Sequence, residues 1–494
     1  MNYHCHGYWH RSISYRFTLR TLVGVNDLIR THAASYLAVL LLTILLQRQS
    51  SWAASLRVIH QGARAAGQGL AFAAQADDPS AIYYNPAGMS QISGNQLSFG
   101  TTFLAGATKF QSEAGQTTYM DFDGPFVRPP PSTFYAIGSC RTCESETLSN
   151  STFGVGVLPP YGLVLDYDDR GPLSNVVTSA ALPLLDVKPT FAYRVNDRVS
   201  IGAGLDLYSI NRNIGTGAAQ LKFRAGDQLA QLYQLDPDSE LTVRGRDQAA
   251  GFNLGLLLTP WFDSDRIPRL NTAFVYRSGF HLDLSGDLTS EQMRLSAAEF
   301  TIAFPEVYTV GVAYWPIRNS ELEWKLEIDL DYVRCSSVEN IDIRLDQGVV
   351  LPSPREFQDS AVVMLGTELL LKELPTHNDW DLALRAGYTR AQSPTPDRTF
   401  GPVPPEATFH GLGIGVSVIR SPTGELQHNS ILDTASDQTQ SSKAKHQLYY
   451  SIDLAYQLLL YERRHIQDNV NPLVDGLWDT TQHVVMIGMT IGTQ

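Results

Sequence analysis

The sequence has 494 residues, a net charge of −13, and 18% charged against 43% hydrophobic residues. This balance is too apolar for a disordered chain, and an acidic chain without a dense basic cluster is not expected to bind nucleic acid. Glycine, tyrosine and phenylalanine are abundant, with 38, 22 and 20 residues. This mixture favours strands, turns and aromatic girdles over helical bundles, so we expect an all-β fold.

Residues 1–54 have the pattern of a signal peptide. Several arginines precede the apolar run 36–46 (YLAVLLLTILL), and small residues follow around Ala53 to Ser55, where a cleavage site would lie. The run is too short to cross a bilayer as a helix. We therefore expect this segment to direct export, with a retained anchor helix as the alternative.

The segment 76–89 (ADDPSAIYYNPAGM) predicts two short helices that are separated at a proline. Asp78 and Asn85 each precede a proline, and each can cap the start of a helix. Pro86 lacks a backbone donor and disfavours helical geometry at Asn85, so the first helix has to end there. The segment is compact and broken, and it stands before a chain of different character.

From about residue 95 onward, runs of roughly 9 to 15 residues alternate apolar and polar side chains, as strands do. The clearest run is 324–333 (WKLEIDLDYV). One face carries Trp324, Leu326, Ile328, Leu330 and Tyr332, and the other carries Lys325, Glu327, Asp329 and Asp331. We find about 14 or 15 such runs.

These runs favour a membrane barrel over a soluble sandwich or propeller. Several exceed the roughly 9 to 11 residues that cross a bilayer obliquely, and the signal peptide implies export. Strands in lipid must close into a ring, because an unpaired edge is too costly there. We therefore predict an all-β, transmembrane antiparallel β-barrel of about 14 strands, with charged faces directed inward and the segment before residue 95 folded as a plug in the lumen.

One connection departs from the alternation of short and long loops that is typical of such barrels. The segment 421–446 is long, polar and poor in apolar residues. We expect a mobile spacer there, and contact with a periplasmic partner is the alternative.

The segment 62–92 resembles the N-terminal segment of the FadL/TodX family of outer-membrane transport proteins. The resemblance continues through most of the remaining chain, at 159–167, 192–206, 251–260, 272–286, 304–317 and 380–396. It implies a hatch at 55–94 that closes the lumen of a barrel at 95–494. Asn85, Pro86 and Ala87 match the family's Asn-Pro-Ala hatch motif, and Gly88 follows them. We expect Asn85 to bond to the barrel wall as well.

The resemblance also implies a function. The family carries long-chain fatty acids or other hydrophobic compounds, including aromatic hydrocarbons, passively across the outer membrane. Ligand would bind among extracellular loops, reach a pocket beside the hatch and leave sideways through the wall. A general porin, a structural or adhesion barrel and a barrel hydrolase are the alternatives.

A hydrophobic ligand needs apolar contacts, and a carboxylate needs a cation. We predict an outer capture site of Leu221, Phe223, Leu229, Leu232, Tyr233, Leu288, Met293 and Leu295. Alternatively, these side chains only pack the loops together. The nearby candidates for a carboxylate partner are Arg212, Lys222, Arg224, Arg244 and Arg246. Each of them could instead pair with a neighbouring acid.

Cys140 and Cys143 lie in a polar turn, and an oxidising compartment favours a local disulfide over two free thiols. The sequence has no nucleophile-elbow, zinc-protease or phosphate-loop motif, and its 12 histidines have no ligand spacing. We therefore expect no enzyme activity, metal or cofactor. The expected partners are a hydrophobic small molecule and outer-membrane lipid, and we expect a monomer.

Overall fold

The computed structural model describes residues 56–125, 130–139, 143–210, 212–213, 215–291, 293–338, 340–374, 379–420 and 448–493. The predicted signal peptide, Cys140 and the 421–446 segment lie outside the described residues.

Strands dominate the described chain. In chain order they are β1 (Asn95–Ser112), β2 (Thr117–Pro125), β3 (Thr133–Ser139), β4 (Ser151–Leu158), β5 (Leu163–Asp166), β6 (Ser179–Leu182), β7 (Leu184–Asn196), β8 (Val199–Ile210), β9 (Ala219–Arg224), β10 (Glu240–Arg246), β11 (Gln248–Phe262), β12 (Pro268–Arg277), β13 (Phe280–Ser290), β14 (Met293–Phe304), β15 (Val307–Arg318), β16 (Leu322–Val333), β17 (Ile343–Leu345), β18 (Val350–Leu351), β19 (Ser360–Leu371), β20 (Trp380–Ala391), β21 (Phe409–Arg420), β22 (Leu448–Tyr461), β23 (Arg464–Ile466) and β24 (Gly476–Thr493).

The helices are short. The α-helices are α1 (Ala63–Gly67), α2 (Ala81–Tyr84), α3 (Glu146–Ser149) and α4 (Asp227–Tyr233). The 3₁₀ helices are Pro86–Gln91, Cys335–Ser337, Asp346–Gly348, Asp397–Thr399 and Pro472–Val474. Within the described ranges, no helix is both long and apolar enough to span a bilayer.

Within the described residues, fourteen antiparallel strands close into a barrel. Their order around the ring is β1, β3, β4, β7, β8, β11, β12, β15, β16, β19, β20, β21, β22 and β24. The last strand pairs with the first from Asn95↔Thr493 to Ser112↔Gly476, so the ring has no open edge between them. The predicted antiparallel barrel of about 14 strands is confirmed.

The polarity of the barrel wall is also as predicted. On β16 the charged side chains are buried, with Lys325 and Asp329 each 1% exposed, whereas Leu330 on the other face is 42% exposed. The same inversion recurs around the ring, where Leu205 and Ile414 are 57% and 60% exposed. A polar interior with an apolar outer belt is suited to lipid and not to water.

A second sheet extends the barrel at the end opposite to Thr493, the last described residue. Its order is β18, β17, β14, β13, β10, β9, β6 and β5, and we call it the outer sheet. Three stretches of the sequence (241–259, 270–286 and 299–315) each alternate as one continuous run, and each divides between the ring and the outer sheet. Alternation continues across each break, and therefore the sequence pattern does not reveal it.

Candidate functional site

Residues 56–94, which we call the hatch segment, lie inside the ring. Helix α1 contacts β20, β21, β22 and β24, while the 3₁₀ helix Pro86–Gln91 contacts β4, β7, β8 and β11. Contacts with such widely separated strands require an interior position. Phe72, Ile82 and Asn85 are fully buried there.

Two carboxylates of β16 hold the middle of the hatch segment through its backbone. Oδ2 of Asp329 accepts the amides of Phe72 and Ala73 at 2.7 and 2.8 Å. Oε1 of Glu327 accepts the next two amides, those of residues 74 and 75, at 2.7 and 3.1 Å. Two side chains thus accept four consecutive backbone amides, so this short stretch of β16 anchors the hatch segment.

The other charged side chains on the inner face of β16 complete the anchor. Nζ of Lys325 donates to Oε1 of Gln75 at 2.5 Å and to Oε2 of Glu327 at 2.6 Å. Nearer the outer sheet, Nη1 of Arg57 lies 2.6 Å from Oδ2 of Asp331. The polar face that the sequence assigns to the lumen therefore binds the hatch segment.

Asn85 links the two halves of the hatch segment. Its Oδ1 accepts the amide of Ala87 at 3.1 Å and so caps the 3₁₀ helix that begins at Pro86, as predicted. Its Nδ2 donates to the carbonyl of Ala73 at 2.9 Å and to that of Leu256 on β11 at 3.5 Å. The contact with the wall is thus present but long, and the bond within the hatch segment is the shorter one.

Glycines in the wall allow the hatch segment to approach closely. A Cβ at Gly255 would lie 2.3 Å from Oδ1 of Asn85, and one at Gly202 would lie 2.4 Å from the nitrogen of Ala87. Gly88 in turn packs against Ala76. Our sequence reasoning missed these wall positions, although a glycine inside a strand is a recognised signal of close backbone approach.

The first of the two short helices predicted for 76–89 begins later than predicted. Helix α2 starts at Ala81, because Oδ1 of Asp78 accepts the amide of Ser80 at 2.8 Å and holds the chain in a turn before it. Burial raises the pKa of Asp78 to about 6. At pH values between the ordinary pKa of an aspartate and about 6, Asp78 keeps its proton in the folded chain and loses it in the unfolded chain. A rise in pH over this range therefore lowers the stability of the folded hatch segment.

His60 has the opposite effect. Its Nε2 lies 2.6 Å from Oε1 of Gln457, and burial lowers the pKa of His60 to about 4. Folding keeps this ring neutral, so falling pH weakens the hatch between about 6.5 and 4. As the pH rises between about 4 and 6, the pKa shift of Asp78 therefore makes the folded hatch segment less stable, whereas that of His60 makes it more stable.

An apolar cavity of about 360 Å³, the outer cavity, lies between the outer sheet and three loop segments, 352–355, 399–403 and 469–474. Its volume is within the roughly 300–1,000 Å³ usual for small-molecule sites. Leu221, Phe223 and Leu229, three of the predicted capture residues, line it.

The remaining predicted capture residues do not line this cavity. Leu288 is buried in the adjoining apolar cluster, and Tyr233 and Leu295 pack against that cluster. Leu232 and Met293 are 45% and 58% exposed. On α4 the buried stripe passes through residues 229, 230 and 233, which leaves Leu232 outside it.

The predicted carboxylate partners also lie away from the cavity. Lys222 and Arg224 alternate with Leu221 and Phe223 along β9, so they belong to its opposite face. Lys222 pairs with Glu240 at 3.3 Å, and Arg224 donates to the backbone carbonyls of residues 169 and 238. Arg212 and Arg246 line a separate open groove, and Arg244 is exposed.

A second cavity of about 200 Å³, the inner cavity, lies beside the start of the hatch segment. Residues 56–60, the inner side of β1 and the loop residues 404–407 line it. Leu56 and Leu163 line both cavities. The two apolar spaces therefore adjoin each other from the outer sheet to the hatch segment.

The wall strand beside the inner cavity changes its pairing partner on one edge. β3 is only 7 residues long, and β1 pairs with it only over Asn95–Gly100. From Phe103 onward β1 pairs with β2 instead. This part of β1, which does not pair with β3, contributes three residues to the lining of the inner cavity: Thr102, Leu104 and Thr108.

Cys143 is disulfide-bonded, but its predicted partner Cys140 lies outside the described residues, so that pairing stays a prediction. Within the described ranges, no three or more His, Cys, Asp or Glu side chains form a group that could hold a metal ion.

Comparison with known proteins relates the chain to one family. The family model described as outer membrane protein transport protein (OMPP1/FadL/TodX) matches residues 44–419. The long-chain fatty acid transport protein of Salmonella typhi is 23% identical over 357 residues, which are 67% of this chain and 76% of that protein. That of Escherichia coli strain K12 is 21% identical over 370 residues, 67% and 77% of the two chains.

Solved structures share the fold. A FadL homologue of Pseudomonas aeruginosa has a TM-score of 0.66 at 14% identity, covering 90% of this chain and all of that one. The toluene transporter TbuX of Ralstonia pickettii has a TM-score of 0.56 at 17% identity, covering 89% and 100%. This chain therefore belongs to the OMPP1/FadL/TodX family of transport proteins and is a β-barrel of the bacterial outer membrane.

Proposed function

We propose that the chain is a passive channel for hydrophobic small molecules, fatty acids or aromatic hydrocarbons, across the outer membrane. Relatives are named for the transport of long-chain fatty acids and of toluene. One observation carries the proposal: two adjoining apolar cavities, which share Leu56 and Leu163, extend from the outer sheet to the hatch segment. A continuous apolar path suits a ligand that loses about 0.8 kcal/mol per methylene when it returns to water.

The outer cavity would capture the ligand first, and Leu221, Phe223 and Leu229 would supply its contacts. From there the ligand would pass Leu56 and Leu163 into the inner cavity. In this proposal the motif Asn85 to Gly88 keeps the hatch segment folded, and the hatch segment closes the lumen. A general porin would need an open aqueous lumen, and the buried hatch segment argues against that alternative.

Release would be sideways, into the outer membrane and not through the lumen. The support is the short β3, which leaves the inner cavity beside a part of β1 that lacks its ring neighbour. A hydrophobic molecule that leaves there enters lipid directly and avoids water. Transport by this route needs no chemical step, in keeping with a family of transport proteins and not of enzymes.

The proposal is tested by filling the outer cavity. Ala180 is buried and lines it, so Ala180→Phe should occupy part of the space. Uptake of radiolabelled oleate and of toluene would be measured in a host that lacks its own long-chain fatty acid transport protein. We expect the wild type to restore uptake of at least one compound and Ala180→Phe to reduce it several-fold.

The matched control is Ala250→Phe, which places the same ring on an exposed position of β11. This variant should transport as well as the wild type. If the wild type restores no uptake of either compound although the barrel is correctly inserted, the proposed function is wrong.

A further inference from the structure

Among the described residues that line the outer cavity, only Arg355 is charged. It lies in the loop between β18 and β19, so it belongs to the extracellular part of the molecule. Its backbone amide donates to Oδ1 of Asn340 at 2.9 Å, which fixes the position of the loop. The other polar groups of the lining are neutral amides and hydroxyls, such as Ser353, Thr399 and Asn469.

The guanidinium of Arg355 is poorly satisfied for a shielded cation. Nη2 donates to the carbonyl of Val403 over a long 3.4 Å, and the group lies 5.8 Å from the ring of Phe357. Nε is buried and has no hydrogen-bond partner among the described residues. Buried donors without a partner are uncommon in folded proteins, and a bound water, ion or ligand is one explanation for them.

Several other shielded cations among the described residues have a carboxylate close by. Arg57 lies 2.6 Å from Asp331, Lys325 lies 2.6 Å from Glu327, and both pairs hold the hatch segment. For Arg355 burial lowers the pKa, and Glu406, a residue of the inner-cavity lining, only partly opposes the shift. An arginine nevertheless stays protonated at any physiological pH. Arg355 therefore presents a positive charge to an apolar space, and no described carboxylate forms an ion pair with it.

We infer that Arg355 binds the carboxylate of an amphiphile whose apolar tail occupies the outer cavity. The ligand class is then a fatty-acid-like carboxylate and not a neutral aromatic hydrocarbon. This inference rests on the proposed function, because it assumes that the outer cavity is the capture site. A carboxylate would satisfy the unpaired Nε, and a bare hydrocarbon would leave it unpaired.

The geometry also orients the ligand. Arg355 contacts Val403, which lines the outer cavity, and the next residues of that loop, Pro404 and Pro405, line the inner cavity. The charged head would thus be held near the junction of the two cavities. The tail would extend toward Leu221, Phe223 and Leu229 on the side of the outer sheet.

The test compares two probes that differ only in the head group, dodecanoate and 1-dodecanol. Their binding to the full chain in lipid nanodiscs would be measured by equilibrium dialysis, with binding to empty discs subtracted. We expect Arg355→Met to weaken dodecanoate binding at least about tenfold and to leave dodecanol binding unchanged. Arg355→Lys should recover part of the loss, because it keeps the charge without the planar fork.

Arg244→Met is the matched control, since Arg244 is exposed on the outer sheet. It should bind both probes as the wild type does. The inference is overturned if Arg355→Met binds dodecanoate normally, or if it weakens both probes equally, which is the result of a merely structural role. If neither probe binds even to the wild type, both the proposed function and the inference are wrong. If Ala180→Phe prevents dodecanol binding but Arg355→Met leaves dodecanoate binding unchanged, only the inference is wrong.

Discussion

Asn85 joins parts of the hatch segment that are 12 residues apart in the chain, through its bond to the carbonyl of Ala73. The sequence predicts its cap on the 3₁₀ helix, because an Asn-Pro pair at a helix start is a local signal. The bond to Ala73 depends on how the chain folds back inside the ring, so no local signal predicts it. Because Asn85 is fully buried, each lost bond leaves a polar backbone group unpaired.

Asn85→Ala should therefore loosen the hatch segment without unfolding the barrel. We expect the free energy of opening of residues 72–91 to fall by about 1–3 kcal/mol, measured by amide hydrogen exchange. Asn471→Ala is a matched control, because Asn471 caps another 3₁₀ helix before a proline in an outer loop. Asn471→Ala should change amide hydrogen exchange only near residue 471. If Asn85→Ala leaves the protection of residues 72–91 unchanged, Asn85 acts only as a helix cap.

Arg355 shows where residue-level sequence reasoning fails. Basic residues near the predicted capture loop, such as Lys222 and Arg224, are neighbours of apolar residues in sequence but lie on the opposite face of β9. Period-two alternation could have excluded them in advance. Nothing in the sequence around Arg355 predicts its contact with the cavity, because the outer sheet and three separate loop segments converge there only in the folded chain.

At the scale of elements, β16 combines two functions in one strand. Its outer side chains face lipid, and its inner carboxylates bind backbone amides of the hatch segment. The sequence predicts the two faces from alternation alone. It does not predict the partner of the charged face, since a polar inner face is equally compatible with a water-filled porin.

Replacing both carboxyl groups should free the hatch segment more often. In the double variant Glu327→Gln, Asp329→Asn, carboxamides replace the two carboxyl groups that accept four backbone amides, and each carboxamide has only one acceptor oxygen. We expect channel openings in planar bilayers to become at least about tenfold more frequent than in the wild type. Glu299→Gln on the exposed face of the outer sheet is the control. Equal conductance in all three proteins would mean that the hatch segment does not close the lumen.

At the scale of the whole molecule, the number of ring strands, their antiparallel order and the inward polarity all follow from the sequence pattern. The outer sheet does not, because β10 and β11, for example, form one continuous alternating run in the sequence, 241–259. The sequence pattern does not predict the two cavities either, since their linings combine residues that are far apart in the chain, such as Leu56 and Val474. Pairing across such separations depends on closure of the ring and not on local preference.

The central claim is that ligand travels through the two cavities and leaves sideways while the hatch segment stays in place. The claim can be tested by locking the hatch segment to the wall. A Cβ at Gly488 on β24 would lie 3.4 Å from Cβ of Ala63 in α1, close to the spacing that a disulfide requires. The double variant Ala63→Cys, Gly488→Cys should therefore form a tether on oxidation, and each single variant controls for the oxidant.

The deciding measurement is the uptake of radiolabelled dodecanoate by cells that carry the oxidised double variant, with tether formation verified by mass spectrometry. The account predicts the same initial rate of uptake as in the single variants under the same oxidant. Loss of uptake on oxidation, with recovery on reduction, would contradict it and would mean that the ligand passes through the lumen as the hatch segment moves.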